Sequence, residues 1–405
     1  MRKILLILLA VFLLSQTIFF VLKCFLTDVP YTVVTRLSII VFQQFVMIFG
    51  SIFIWWNLSA ATDDVLSDLP LQPSYRCWRT ICVQKVVKAA IILFLFLVHI
   101  SSTFYYLWIG EEPNIFAMIS LTSVAVYIYL IFFLLTFVLV QSVFRLIFHM
   151  NSKHFRFLRL LVANELSNRI FAVLLAVVFV LAGLWVTLLP PAVRRITIKI
   201  DNLPEVQKGF TVALLSDLHI GPTVGCSKIQ KMVNTINLFK PGNHEYLHGN
   251  VDEWFVFLKK IKIIPLHNKN KKILVGNSRI CIAGSDDLFA EQSRFSGHVM
   301  DYKKALRGCN KNDTTIMLIH QPNAVRIILN DVETAKNIDL ILSGHTHGGQ
   351  MYVFVPLVYF WNAYFRGLYY NKATGTYVYV SAGVNYFGPP VKIFDGNEII
   401  IIKLV

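Results

Sequence analysis

The chain opens with long apolar runs that carry no charged side chain, at residues 4–22, 37–56, 89–109, 115–144 and 170–189. Each is near or above the roughly 20 residues that cross a hydrocarbon core as a helix, so the pattern predicts five membrane spans. Runs this long and this free of charge are foreign to the buried helices of a soluble protein. The fourth holds 30 residues and must tilt, extend past the bilayer or contain a break. Arg2 and Lys3 ahead of the first run also fit a signal sequence, but no clear small-residue cleavage site follows, which favours an uncleaved anchor.

After residue 189 the pattern shortens. Apolar stretches at 211–216, 280–283, 315–319, 340–342, 377–380 and 398–404 predict strands, and periodic stretches at 228–239, 252–261 and 323–329 predict helices. Ser227 would cap the first of these helices, Ile229, Val233 and Ile236 share one face, and Pro241 would stop it. Strands alternating with helices predict an α/β domain large enough to hold its own core.

Composition divides the chain in the same place. Of 405 residues 56% are hydrophobic and only 15% charged, against about 25% charged in soluble domains. That excludes a disordered chain and an ordinary soluble enzyme. The division expected is a multi-pass membrane region at 1–194 followed by the α/β domain at 195–405. The net charge of +15 is spread over both.

Basic residues orient the spans. Arg76, Arg79, Lys85 and Lys88 follow the second span, and Arg145, Lys153, Arg156, Arg159 and Arg169 follow the fourth, while the alternate loops hold only Lys23 and Arg36. Cytoplasmic loops carry such an excess, so the amino terminus is expected in the cytoplasm and the α/β domain on the luminal or extracellular side. The sequon Asn312-Asp313-Thr314 would then face outward. The spans hold no Asp, Glu, Lys or Arg, which argues against a pump or coupled transporter, and His99 reads as an interhelical hydrogen-bond partner. Cysteines at 24, 77, 82, 226, 281 and 309 have the spacing of neither a disulfide scaffold nor a zinc site.

The chemistry collects at strand ends. Asp217-Leu218-His219 follows the first strand, Gly242-Asn243-His244-Glu245 follows Pro241, His320 ends another strand, and Gly344-His345-Thr346-His347 ends a fourth segment. Ligands bind beyond the carboxyl ends of strands in α/β sheets, so motifs distant in sequence can meet there. Asp, Asn and His together offer mixed oxygen and nitrogen donors suited to Mn, Fe or Zn. A lone D-x-H or H-x-H arises by chance, but four such motifs in order at strand ends form a strong signal.

These segments, SDLHIG, GNHEY, LIHQP and SGHTHGGQ, resemble the motifs of the calcineurin-like metallophosphoesterase family. The resemblance implies a two-sheet sandwich flanked by helices and a two-metal hydrolase of phosphate mono- or diesters. It implies that Asp217, His219 and His347 hold one divalent ion (Mn, Fe or Zn), that Asn243, His320 and His345 hold the other, and that His244 serves the leaving group. The partners implied are a phosphate-ester substrate and the lipid bilayer.

One motif of that family is missing. Its G-D, whose Asp bridges the two ions, has no counterpart here, because no acidic residue lies between His219 and Gly242. Asp217 and Asn243 are 26 positions apart, too few for the strand-helix-strand the family places between them. A helix at 228–239 would carry the chain away from the site with no return strand before Asn243. The expectation is a shortened form with metal affinity and turnover reduced or abolished, and Glu245, Asp252, Asp286 and Asp287 are candidate substitutes for the missing bridging oxygen. The competing reading is a non-catalytic membrane protein whose outer domain binds one metal or a partner.

Two surface features complete the reading. The lysine clusters at 259–262 and 269–272 read as solvated faces, and without interleaved aromatics no nucleic-acid partner is expected. The aromatic stretch at 352–370 leaves three roles open: the bilayer surface, the wall of a substrate channel, or core packing.

Overall fold

The structure, a computed structural model, describes residues 2–67, 73–107, 113–147, 165–225, 238–239, 251–260, 263–393 and 396–405. Five long helices come first: α1 (Arg2–Phe25), α2 (Asp28–Ser67), α3 (Pro73–Tyr106), α4 (Ile115–Ile147) and α5 (Glu165–Leu188). Each contains a segment long and apolar enough to cross a membrane, in the order expected from the apolar runs. The long fourth run is one unbroken helix of 33 residues. At 1.5 Å per residue it spans about 50 Å and so outreaches a hydrocarbon core of about 30 Å.

α4 is the centre of the bundle. Ala125, Tyr129, Leu130 and Leu134 pack with Ile54 of α2, Val98 of α3 and Ala172, Ala176 and Val180 of α5. Ala172 and Ala176 lie one turn apart, the small-residue spacing that lets membrane helices approach closely. Polar groups at depth find partners across helices, as lipid offers none. His99 pairs with Ser51 Oγ through Nε2 at 2.9 Å, Gln44 donates to the His99 carbonyl, and the Tyr127 hydroxyl donates to Met47 O. His99 thus makes the interhelical bonds expected of it.

The α/β domain stacks two sheets. One has three strands in the order β1 (Ala192–Ile198), β11 (Glu398–Leu404), β2 (Thr211–Leu214). The other has six, in the order β5 (Lys269–Val275), β6 (Ser278–Gly284), β7 (Thr314–Leu318), β8 (Leu340–Ser343), β10 (Thr376–Val380), β9 (Gly367–Asn371). β6, β7, β8 and β10 run parallel, with β5 and β9 as antiparallel edges. The parallel strands are short, continuously apolar runs, as strands covered on both faces require. β11 instead alternates, burying Ile400, Ile402 and Leu404 against Ile280, Ile282, Ile316 and Leu340 of the larger sheet. The far face of that sheet is covered by a helix, Pro322–Asn330, whose Ala324, Val325, Ile328 and Leu329 are buried.

The structure adds strands β1, β5 and β9, which no expected element covered, and departs from the sequence expectations at two further points. Leu238–Phe239 is not the end of a helix but a short strand, β3, paired in parallel with β4 (Ile264–Pro265). A two-residue strand has no periodicity to read, so the apolar pair was legible only as a helix face. Extended chain therefore precedes Pro241 after all, while the rest of the expected helix, 228–237, lies outside the described residues. Second, Cys281 on β6 and Cys309 ahead of β7 form a disulfide, a pairing that their spacing did not suggest.

One of the seams between the two parts lies against α5. Met351 and Val391 of the α/β domain join the core of the helical bundle, and Tyr352 packs edge-on against Phe179 of α5. Gly183 on α5 lies under this seam, where a Cβ would fall 2.2 Å from Val391 Cγ1 and 3.3 Å from the Lys392 backbone. Part of the aromatic stretch thus packs on the spans, whereas Tyr359, Phe360 and Trp361 stay exposed. Replacing Gly183 by Leu should force the 388–392 loop off α5. The expected outcome is faster proteolysis at 388–397 in detergent-solubilised protein, with the α/β domain still folded by circular dichroism.

Candidate metal centre

Each functional side chain follows a strand. Asp217 and His219 come just after β2, His320 after β7, His345 and His347 after β8, and Asn385 after β10. Since β7, β8 and β10 are parallel neighbours, their carboxyl ends share one edge, and β2 of the facing sheet ends there too. The turns that follow are tight. Asp217, His219, His345 and His347 have φ of 58°, 44°, 71° and 50°, a region that side chains other than glycine adopt at a cost of about 1–3 kcal/mol each. Four such residues at one edge mark a place where the fold sustains strain to aim side chains.

Two glycines make room for the carboxylate. A Cβ on Gly344 would meet Asp217 Oδ2 at 2.4 Å, and one on Gly383 would meet Asp217 Cβ at 2.7 Å. The backbone N–H of His345 donates to both carboxylate oxygens, at 3.1 and 3.2 Å. His347 Nε2 stands 3.4 Å and His219 Nε2 3.8 Å from Asp217 Oδ1, and the two Nε2 atoms are 2.8 Å apart. All three side chains therefore converge on one point. Their ligand atoms lie within 4.8 Å of one another, as a bound divalent ion would require.

The protonation states suit an ion. Burial alone would push the Asp217 carboxyl up, but the neighbouring His347, His219 and His320 together hold it well below the ordinary carboxylate range. Burial holds the His347 imidazole well below its ordinary value, and His345 is lowered for the same reason. His347 Nδ1 lies 3.2 Å from the Asn385 carbonyl, which assigns the proton to Nδ1 and leaves Nε2 as a lone-pair donor. An ionised carboxylate with neutral imidazoles is the donor set of a borderline cation.

Behind this group Lys392 is fully buried and donates to the carbonyls of Ala382, Gly383 and Asn385. Burial pulls its pKa down to about 7. The Asn385 amide donates to Leu218 O, closing a circuit between the β10 loop and the β2 loop. Sequence reasoning missed Asn385, Lys392 and Phe387. Extending the strand-end rule to 377–380 would have pointed to the loop but not to these residues, since no motif spacing marks them.

The structure brings together Asp217, His219 and His347, and sets the rings of His320 and His345 edge to face at 5.2 Å beside them. Asn243, His244 and Glu245 lie outside the described residues. Of the candidate substitutes for the missing bridge, Asp286 and Asp252 are drawn instead to a separate histidine pair, His267 and His298. Asp287 accepts from the Gln321 amide and from Phe289 N, and its charge acts on His345.

The site also touches the membrane part. The Phe387 ring packs against His219 and His347 at 5.4 and 6.2 Å and, on its other side, against Tyr105 near the end of α3 at 5.4 Å.

A profile described as calcineurin-like phosphoesterase matches residues 226–349. A Caenorhabditis elegans relative, provisionally named a metallophosphoesterase, is 44% identical over 80% of this chain and 75% of its own. The chain belongs to the calcineurin-like phosphoesterase family. A Danio rerio relative named transmembrane protein with metallophosphoesterase domain is 31% identical over 91% of this chain and 89% of its own, and its Bos taurus namesake is 31% identical over 90% and 88%. No solved structure matches. The profile match includes Asn243, His320, His345 and His347 but begins after Asp217 and His219, which the structure brings back to the same point.

Replacing Gly344 by Ala should displace the Asp217 carboxylate and weaken Mn2+ binding by roughly 10- to 100-fold, the range seen when supporting groups around a metal are disturbed. Calorimetric titration of the full chain in detergent reads this, with Gly221→Ala as control, because a Cβ there meets open space. Equal affinities in the two variants would contradict the role assigned to Gly344.

Proposed function

We propose that this chain is a membrane-anchored, metal-dependent phosphoesterase that hydrolyses phosphate mono- or diesters, in a form whose turnover is impaired. Residues 1–194 would form the membrane region and 195–405 the hydrolase, a boundary that falls within β1. The observation that carries this reading is the convergence of Asp217, His219 and His347 on one point beside His320 and His345. A divalent ion held there would polarise phosphoryl oxygens and acidify a nucleophilic water. Asp217, kept ionised by its neighbours, would hold that ion's charge in place. His347 would present Nε2 because Asn385 O fixes its tautomer. Asn243, His320 and His345 would hold a second ion, and His244 would give the leaving alkoxide a proton.

The missing G-D supports impairment and, for this form, the second reading of a non-catalytic binder of one metal. Among the described residues the group that converges on one point contains a single carboxylate, that of Asp217, while the charge of Asp287 reaches His345. Inserting a G-D-containing strand segment between Lys240 and Gly242 should raise hydrolysis of an aryl phosphate or bis-aryl phosphate by roughly 10- to 100-fold. The gain should vanish with Asp217→Asn. An inserted protein that stays folded and gains nothing would count against the phosphoesterase reading.

We also propose that the amino terminus is cytoplasmic and the hydrolase luminal or extracellular. Lys and Arg in alternate loops support this, and so does the Cys281–Cys309 disulfide, since such bonds persist in oxidising compartments. The Phe387 contact with α3 supports a reaction at the membrane face. A tag after Val405 should be protected from protease in sealed microsomes. Its digestion without detergent would reverse the orientation.

A further inference from the structure

We infer that His267, Asp286 and His298 form a second cation site, separate from that of Asp217, which takes a divalent ion of the Zn2+ class. The three residues come from different segments. His267 lies between β4 and β5, Asp286 just past β6, and His298 in the loop after the short helix Leu288–Gln292. Their ligand atoms lie within 4.8 Å of one another. His267 Nδ1 is 2.7 Å from Asp286 Oδ1, His298 Nδ1 is 3.4 Å from Asp286 Oδ2, and the imidazole rings are 4.5 Å apart. Ligand atoms around a tetrahedral zinc ion with bonds near 2.0–2.1 Å lie about 3.4 Å apart, so modest side-chain movement would seat the ion.

Three observations distinguish this group from a chance ion pair. The Asp286 side chain is almost fully buried, and its Oδ2 makes no hydrogen bond among the described residues, although it points at His298. The 3.4 Å approach of His298 Nδ1 is long for a hydrogen bond to a buried carboxylate oxygen, and a cation between the two would satisfy that oxygen more fully. Next, one side chain pins all three segments. Asn268 Oδ1 accepts from Asp286 N, Ser285 Oγ and Asp301 N, while its amide donates to Val299 O beside His298. The donors are thus set in place before any ion arrives.

The surroundings also match those of a metal-bound histidine. His298 turns Nδ1 to Asp286 and Nε2 to Asp252 Oδ1 at 3.5 Å, the arrangement in which a carboxylate orients the imidazole from behind. Phe255 and Phe295 pack on the rings of His298, and Phe255 also on His267, walling the group from water on that side.

The site is separate from the first because neighbouring residues diverge. Asp287 faces Gln321 and acts on His345, whereas Asp286 faces His267 and His298. An ion here would tie the helix Val251–Lys260, which carries Asp252 and Phe255, to the end of β6.

The test is Zn2+ content of the full chain in detergent micelles, measured after dialysis against micromolar Zn2+. An Asp217→Asn chain, deprived of the first site, should retain one ion per chain, and adding His267→Ala or His298→Ala should remove it. Co2+ in place of Zn2+ should give the absorption bands of a low-coordinate nitrogen and oxygen site in Asp217→Asn, lost in the double variants. Asp252→Asn, which changes only the group behind His298, should weaken binding by about tenfold and leave the bands in place. Folding is checked by circular dichroism, and His267→Gln replaces any alanine variant that unfolds. An Asp217→Asn chain without bound ion, or one that keeps its ion after both histidines are changed, would overturn the proposal.

Discussion

A carboxylate buried with no cation or donor beside it costs several kcal/mol, and the turns at the strand edge are shaped around that of Asp217. Its oxygens take the His345 N–H, which the left-handed turn at His345 aims inward. Gly344 and Gly383 lack the side chains that would occupy its space. His219 and His347 face it, each from a strained backbone conformation. The strain at four residues is tolerable because two packed sheets fix the strand ends from which these turns depart. An arrangement that keeps a negative charge buried beside His347, whose imidazole burial holds well below its ordinary pKa, stores favourable potential for a cation.

The second consequence concerns the membrane. The loop after β10 carries Asn385 and Phe387 at the site and Val391 in the helical core, so one short stretch is shared by both parts. Lys392 gathers the carbonyls of that loop, and Glu398 fixes its start, taking the Ala382 N–H while paired with Arg194 and Arg366. Thr187 and Gly183 of α5 contact the loop directly. Movement of α5 or of Tyr105 on α3 would therefore be felt at His219 and His347 through Phe387.

The parts of the fold that were legible are those with strong physical signatures. Uncharged runs of 19 or more residues located all five spans, and β6, β7, β8 and β10 were found within one or two residues because continuous apolar runs are what a doubly covered strand requires, whereas the edge strand β9 was not foreseen. Asp217, His219 and His347 were legible because glycine and histidine recur at strand ends. Features assembled by tertiary contact were not. β3 is too short to have a period, and Cys281 and Cys309, 28 residues apart, meet only because β6 and β7 pair. His267 and His298 look like isolated histidines until Asp286 joins them. The absent bridging carboxylate, by contrast, was plain in the sequence, and the described residues show Asp286 and Asp252 turned to other partners.

The central claim is that Asp217, His219 and His347 remain a working cation site in this chain. An electron paramagnetic resonance titration of the full chain in detergent with Mn2+, run beside Asp217→Asn, tests it most directly. The account predicts a tightly held Mn2+ in the native sequence that the Asp217→Asn chain lacks. Superimposable titrations of the two chains would contradict it.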